Sequence, residues 1–180
     1  VRAAQRGNLD AFELLVLRYQ ATVVTTAYHF LHDEAEADDV SQEVWIRVYR
    51  SLPRFRFQSR FSTWLYRITV NQAMTAMKKG SRRAGTRRQD VALDDEETFF
   101  DLPDEKAGPL RILEGREAEG AFREALDRLP PQQRAAVVLV LLEGLPHREA
   151  AEVMGVAEKT VSWHVFKARE RLMEELREHL

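Results

Sequence analysis

Apolar residues recur at intervals of three and four along most of this chain, a spacing that builds α-helices with one buried face. Asn8 and Asp10 offer caps before a stripe of Phe12, Leu15, Val16 and Tyr19, and that helix is expected to continue through 21–31. His32 and Asp33 break it. Asp33 then caps a helix over 35–51 carrying Val40, Val44, Ile46 and Val48, and Pro53 ends it. A loop over 53–60 leads to a helix over about 61–79, capped by Ser59 or Ser62 and stopped by Gly80. Residues 81–108 keep no period and hold Gly85, Pro103 and Gly108, which marks a linker. Further helices are expected over about 110–129, over 132–143 with Pro131 as first residue, over 147–154 and over 157–178. The expected fold is all-α. Two small helical domains, 1–80 and 110–180, are joined by a flexible linker, 81–109, and the C-terminal one contains a helix-turn-helix.

The net charge is only −2, yet the charges are segregated. No acidic residue occurs from Val44 to Gln89, where Arg47, Arg50, Arg54, Arg56, Arg60, Arg67, Lys78, Lys79, Arg82, Arg83, Arg87 and Arg88 supply twelve positive charges. Acidic blocks flank this stretch at 33–43 and 90–105. Basic blocks suit phosphate backbones, and acidic ones suit basic protein partners or stay solvated. The bland alternative is an uneven solvated surface.

The same composition argues against an enzyme. Absent cysteine excludes disulfides and thiolate metal sites. The histidines His29, His32, His147, His164 and His179 lack metal-ligand spacing, and no nucleophile–base set or phosphate loop is visible. No catalytic residue, metal or cofactor is expected. No apolar run is long enough to span a membrane, and Arg2, Arg6, Asn8 and Asp10 interrupt any signal-peptide pattern. The expectation is a cytoplasmic protein without membrane insertion of its own.

The strongest motif lies at 146–172. Pro146 starts a short helix with Ala150, Ala151, Val153 and Met154, and Gly155 supplies a tight turn. The next helix places Val161, Val165, Ala168 and Leu172 on one face, for packing. Lys159, Trp163, Phe166 and Lys167 lie opposite, flanked by Thr160, Ser162 and His164. Such residues near a helix N-terminus suit phosphates and base edges in a major groove. A generic helical hairpin is the alternative. Trp163 and Phe166, two large aromatics facing away from the core, are expected to contact either DNA or another protein.

Taken together, the two halves resemble the extracytoplasmic-function sigma factors of bacterial RNA polymerase. The stretch 34–48, with Asp38, Asp39, Gln42, Glu43 and Arg47, is similar to part of sigma region 2. So is Phe61-Ser62-Thr63-Trp64-Leu65-Tyr66-Arg67-Ile68-Thr69-Val70-Asn71. The stretches 126–134 and 143–169 are similar to region 4. There are departures. Phe57 and Gln58 stand where that family commonly carries a Gly-Asp or Gly-Glu pair. Ser162 and His164 stand where basic residues are common, and Trp163 where a small one is.

The resemblance implies that core RNA polymerase and promoter DNA are the partners, with an anti-sigma factor as a further one. It implies polymerase docking through Asp38, Asp39, Val40, Gln42, Glu43, Ile46 and Arg47. It implies minus-ten recognition and strand opening through Arg54, Phe55, Arg56, Phe57, Gln58, Ser59, Arg60, Tyr66, Arg67 and Asn71. It implies minus-thirty-five recognition through Lys159, Thr160, Ser162, Trp163, His164, Phe166 and Lys167. Opening a duplex needs charge to hold a strand and flat apolar surface for an unstacked base. Not every aromatic can serve, since Phe61, Trp64, Leu65 and Ile68 have core spacing. Asn71 either contacts DNA or caps backbone. The linker is either a phosphate-mimicking segment in a polymerase channel or a plain tether. A stand-alone helix-turn-helix regulator would leave the basic aromatic block without a purpose.

Overall fold

The computed structural model describes residues 1–83 and 116–177, and the side chains of 1–80 and 120–177. The acidic run at 90–105, the linker beyond 83 and the start of the helix expected from 110 lie outside the described residues. The described residues form two compact units, one centred on the N-terminal helices and one on the C-terminal helices.

The N-terminal unit opens with a four-residue helix, α1 (Arg2–Gln5), absent from the sequence reading because it is too short to show a period. Helix α2 (Leu9–Leu31) starts where Asn8 accepts the Ala11 N–H at 2.8 Å and ends at His32, whose φ of 55° is left-handed. Helix α3 (Glu34–Ser51) starts where Asp33 accepts the Glu36 N–H at 2.8 Å. A 3-10 turn (Leu52–Arg54) follows, then helix α4 (Phe61–Arg83). Helices α2, α3 and α4 pack on one another around Val23, Ala27, Phe30, Ala37, Val44, Val48, Leu65 and Ala73. Gly80 does not stop α4. Its backbone is not among those with positive φ, so it costs the helix about 1 kcal/mol relative to Ala without ending it.

The C-terminal helices are α5 (Arg116–Arg128), α6 (Pro131–Val137), α7 (His147–Met154) and α8 (Glu158–Leu176). Helix α6 passes into a π-helical turn (Val138–Leu142) instead of continuing as an ordinary helix to residue 143. The bond from the Glu143 N–H to the Val138 carbonyl, 2.9 Å, spans the extra residue. The change falls at the end of an unbroken buried run from Gln133 to Leu139, as befits a central helix. Ala125, Leu126, Leu129, Val137, Ala168 and Leu172 form the core that joins α5, α6 and α8. Arg134 is 1% exposed and bridges to Asp127.

Candidate nucleic-acid interfaces

The loop between the 3-10 turn and α4 is an aromatic arch. Phe55 sits at its hub, with ring centroids 4.8 Å from Phe57, 6.2 Å from Phe61 and 4.9 Å from Trp64. Phe55 and Phe61 are buried, Trp64 is half-buried, and Phe57 is 38% exposed. Phe55 therefore serves as the loop's foundation and not as a surface for a base, a correction to its expected role. Its spacing from Phe61 crosses a loop, so no periodic pattern could reveal the burial.

Phe57 is the ring left at the surface, and its φ is 58°. A left-handed backbone costs a side chain of this kind roughly 1–2 kcal/mol. A φ in this region is one that glycine adopts without strain. Packing on Phe55 and the guanidinium of Arg2, 4.5 Å from the ring centroid, offset that cost. Arg54, Arg56, Gln58 and Arg60 are exposed around the ring and Ser59 is half-buried. On α4, Arg67 and Asn71 are exposed. The Asn71 carbonyl accepts the Thr75 hydroxyl at 2.7 Å. Tyr66 is half-buried and lines a cleft of about 120 Å³ with Tyr19, Thr22, Thr26 and Thr69. The structure thus brings the loop cations and one open ring together, and sets Tyr66 in the wall of the bundle.

Helix α3 separates its faces cleanly. Val40 and Val44 are buried, so Val40 belongs to the core and not to a docking surface. The residues Asp39, Gln42, Glu43 and Ile46 follow at offsets of three, four and seven, which places them on one stripe. All four are exposed, as are Asp38 and Arg47, and Ile46 keeps 51% of its surface open. Gln72 on α4 donates its amide to the Glu43 carboxylate. The stripe combines carboxylates with an apolar side chain, a chemistry that complements basic protein surfaces and repels phosphate.

Between α7 and α8, Gly155 makes the turn with φ 72°. The Val156 N–H then closes it on the Ala151 carbonyl at 3.2 Å. Val161, Val165, Ala168, Leu172 and Leu176 bury one face of α8. On the other faces Lys159 and Phe166 are exposed, and Thr160, Ser162, Trp163, His164 and Lys167 are half-buried. Trp163 is therefore less open than its place on the helical wheel implies, with its ring 5.1 Å from that of His164. Burial lowers the His164 pKa from the ordinary histidine value, which favours the neutral imidazole. The Ser162 hydroxyl lies 2.8 Å from His147 Nδ1 and 3.3 Å from the Glu158 carbonyl, to which it donates. Lys167 pairs with Glu170 at 2.8 Å. Helix α8 thus has a packed back, and on its other faces Lys159 in the first turn, the polar side chains of Thr160, Ser162 and His164, and Lys167 near its midpoint.

No helix among the described residues is long and apolar enough to cross a membrane. Comparison with known proteins supports the division into two modules. The family description "Sigma-70 region 2" matches residues 15–83, and "Sigma-70, region 4" matches 119–172. The RNA polymerase sigma-H factor of Pseudomonas aeruginosa is 39% identical over 176 residues, which span 96% of this chain and 89% of that protein. The ECF RNA polymerase sigma-E factor of Escherichia coli K12 is 34% identical over 174 residues, 96% of this chain and 90% of that one. Two solved structures share the fold. One is CnrH in complex with the cytosolic domain of CnrY (TM-score 0.69, 23% identity, covering 98% of this chain and 94% of that chain). The other is the sigma factor RpoE in complex with the anti-sigma factor NepR from Bartonella quintana (TM-score 0.64, 24% identity, covering 93% and 97%). With both modules in order and near-full-length relatives at these identities, the chain belongs to the extracytoplasmic-function sigma factors, which direct RNA polymerase to promoters at transcription initiation.

Proposed function

We propose that this sigma factor divides its work among three surfaces. Asp38, Asp39, Gln42, Glu43, Ile46 and Arg47 on α3 dock on core RNA polymerase. The loop cations Arg54, Arg56 and Arg60, with Phe57, Gln58 and Ser59, hold the minus-ten segment of the separated strand, and Tyr66, Arg67 and Asn71 on α4 extend that surface. Lys159, Thr160, Ser162, Trp163, His164, Phe166 and Lys167 on α8 read the minus-thirty-five duplex. The domains run over 1–80 and 110–180, with 81–109 as the linker. The protein works in the cytoplasm and has no catalytic chemistry of its own; polymerase supplies it. The observation that carries this reading is the order of the parts in one chain: acidic helix, basic aromatic loop, helix-turn-helix.

An anti-sigma factor is a further proposed partner, as in the RpoE–NepR complex. The exposed side chains Ile46, Tyr49 and Phe166 give it apolar purchase.

The test is runoff transcription with bacterial core polymerase, this chain and a promoter library. Discrete transcripts with shared minus-ten and minus-thirty-five sequences are expected, and each surface variant should remove its own step. Absence of any transcript, together with tight operator binding by the isolated chain, would instead make it a stand-alone regulator.

A further inference from the structure

Helix α1 lies before the segment that matches sigma region 2, which begins at residue 15. Both of its polar side chains that reach beyond the helix meet the loop. Gln5 donates its side-chain amide to the carbonyls of Leu52 at 3.1 Å and Phe55 at 2.7 Å, with the Pro53 carbonyl at 3.5 Å. One amide thus fixes the peptide that leads into the loop and the turn that precedes it. Arg2, one position round the same face, lays its guanidinium over the Phe57 ring.

Arg2 shares the charge state of the loop cations. It is exposed, and among the described residues it has no carboxylate partner; the same holds for Arg54 and Arg56. A guanidinium stacked on a ring keeps its N–H donors, which lie in its own plane, open to phosphate. A nucleotide whose base reaches Phe57 brings its phosphate one sugar away, beside such a donor. The long basic stretch of the sequence starts at Arg47, so only the fold brings Arg2 to it.

We infer that Arg2 is a further phosphate-binding residue for the separated DNA strand, and that Gln5 is the positioning residue that holds the loop beneath it. The inference rests on the strand-binding reading of the loop. It extends that site to a helix outside the matched region.

The test uses holoenzyme assembled from the full chain and core polymerase. The probe is a fluorescein-labelled single-stranded oligonucleotide carrying the non-template minus-ten sequence of a promoter recovered by runoff. Anisotropy is followed across a salt series. Arg2→Gln should weaken binding about three- to tenfold and lower the salt slope by about 0.7, the loss of one phosphate contact on a single strand. Arg2→Lys should keep the slope. A role confined to packing on Phe57 would leave the slope of Arg2→Gln at the wild-type value and overturn the inference. Gln5→Ala should weaken the probe in the wild-type background and have no further effect beside Phe57→Ala, because it acts through the loop. Equal losses in both backgrounds would remove Gln5 from that role. Arg54→Ala separates the two failures. If it weakens binding while Arg2→Gln does not, only the extension to α1 fails; if neither does, the strand-binding loop fails with it.

Discussion

The loop 55–60 and helix α8 both present cations and aromatic rings, but they hold them by different means. In the loop, Gln5 pins the backbone from outside, Phe57 sits in a left-handed conformation, and Arg54 and Arg56 have no carboxylate partner among the described residues. On α8 the backbone is regular, one face is packed, and Ser162 and Lys167 already engage His147 and Glu170. A rigid rod with fixed side-chain spacing suits a duplex groove. A loop that carries Arg56, with Arg54 just before it, and one open ring suits a strand whose bases have left the stack. Binding through α8 therefore depends on an intact fold, whereas binding through the loop depends on single side chains.

The largest effect should come from the fold behind α8. Asp127→Ala removes the carboxylate that bridges to Arg134, which is 1% exposed. The expected cost is about 3 kcal/mol, the low end for a broken buried pair because the Asp127 side is 43% exposed and lets water approach. Hydrogen exchange resolved by segment should show lost protection in α5–α8 and none in α2–α4. Adding Arg134→Met should recover much of it, since an apolar side chain of similar length needs no partner. Equal loss in both units would end the claim that the C-terminal surface depends on its own core.

Phe57 is the counterpart in the loop. Phe57→Gly and Phe57→Ala should both lose about 1–3 kcal/mol of single-strand affinity, the worth of one stacked base. They should part in stability. Glycine accepts a φ of 58°, whereas alanine keeps the strain, so the glycine variant should unfold later by roughly 1 kcal/mol. Thermal unfolding of the two variants side by side checks this. Unchanged strand affinity would remove the ring from the site while leaving the backbone argument intact.

These residues also mark how far the sequence could be read. The caps at Asn8 and Asp33, the helix order and the packed face of α8 follow from local spacing, and the structure has them there. The burial of Val40 could be read too, since Val40, Val44 and Val48 recur every four residues; the resemblance drew it into the docking surface instead. What spacing cannot carry is contact across a loop. Phe55 looks like one more surface aromatic until Phe61 and Trp64 close on it. Arg2 and Gln5 belong to a helix of one turn, and their partners lie about fifty residues on in the chain.

A smaller effect is expected at Lys167. It pairs with Glu170 at 2.8 Å, so a DNA phosphate must compete for it. Lys167→Ala should weaken minus-thirty-five duplex binding only a few-fold and lower the salt slope by about 0.9, one phosphate on a duplex. Glu170→Gln should strengthen binding by releasing the lysine. An unchanged slope in Lys167→Ala would leave Lys159 as the phosphate contact on α8.

His164 tests the same helix without a charge. Burial holds its folded-state pKa below the ordinary histidine value, so the unfolded chain takes up this proton first as pH falls. The stability that neutral His164 contributes is therefore present above about pH 6.5 and declines as pH drops below it toward the folded value. Replacing it with glutamine should flatten that decline, measured as denaturant unfolding between pH 7.5 and pH 6. In duplex binding at pH 7.5, His164→Gln should change which sequences are preferred and leave the salt slope where it was, because a neutral ring offers a hydrogen bond and not a counter-charge. A slope that fell as it does for Lys167→Ala would mean that DNA recharges the buried ring on binding, and the contrast between an uncharged His164 and the phosphate-binding lysines of α8 would fail.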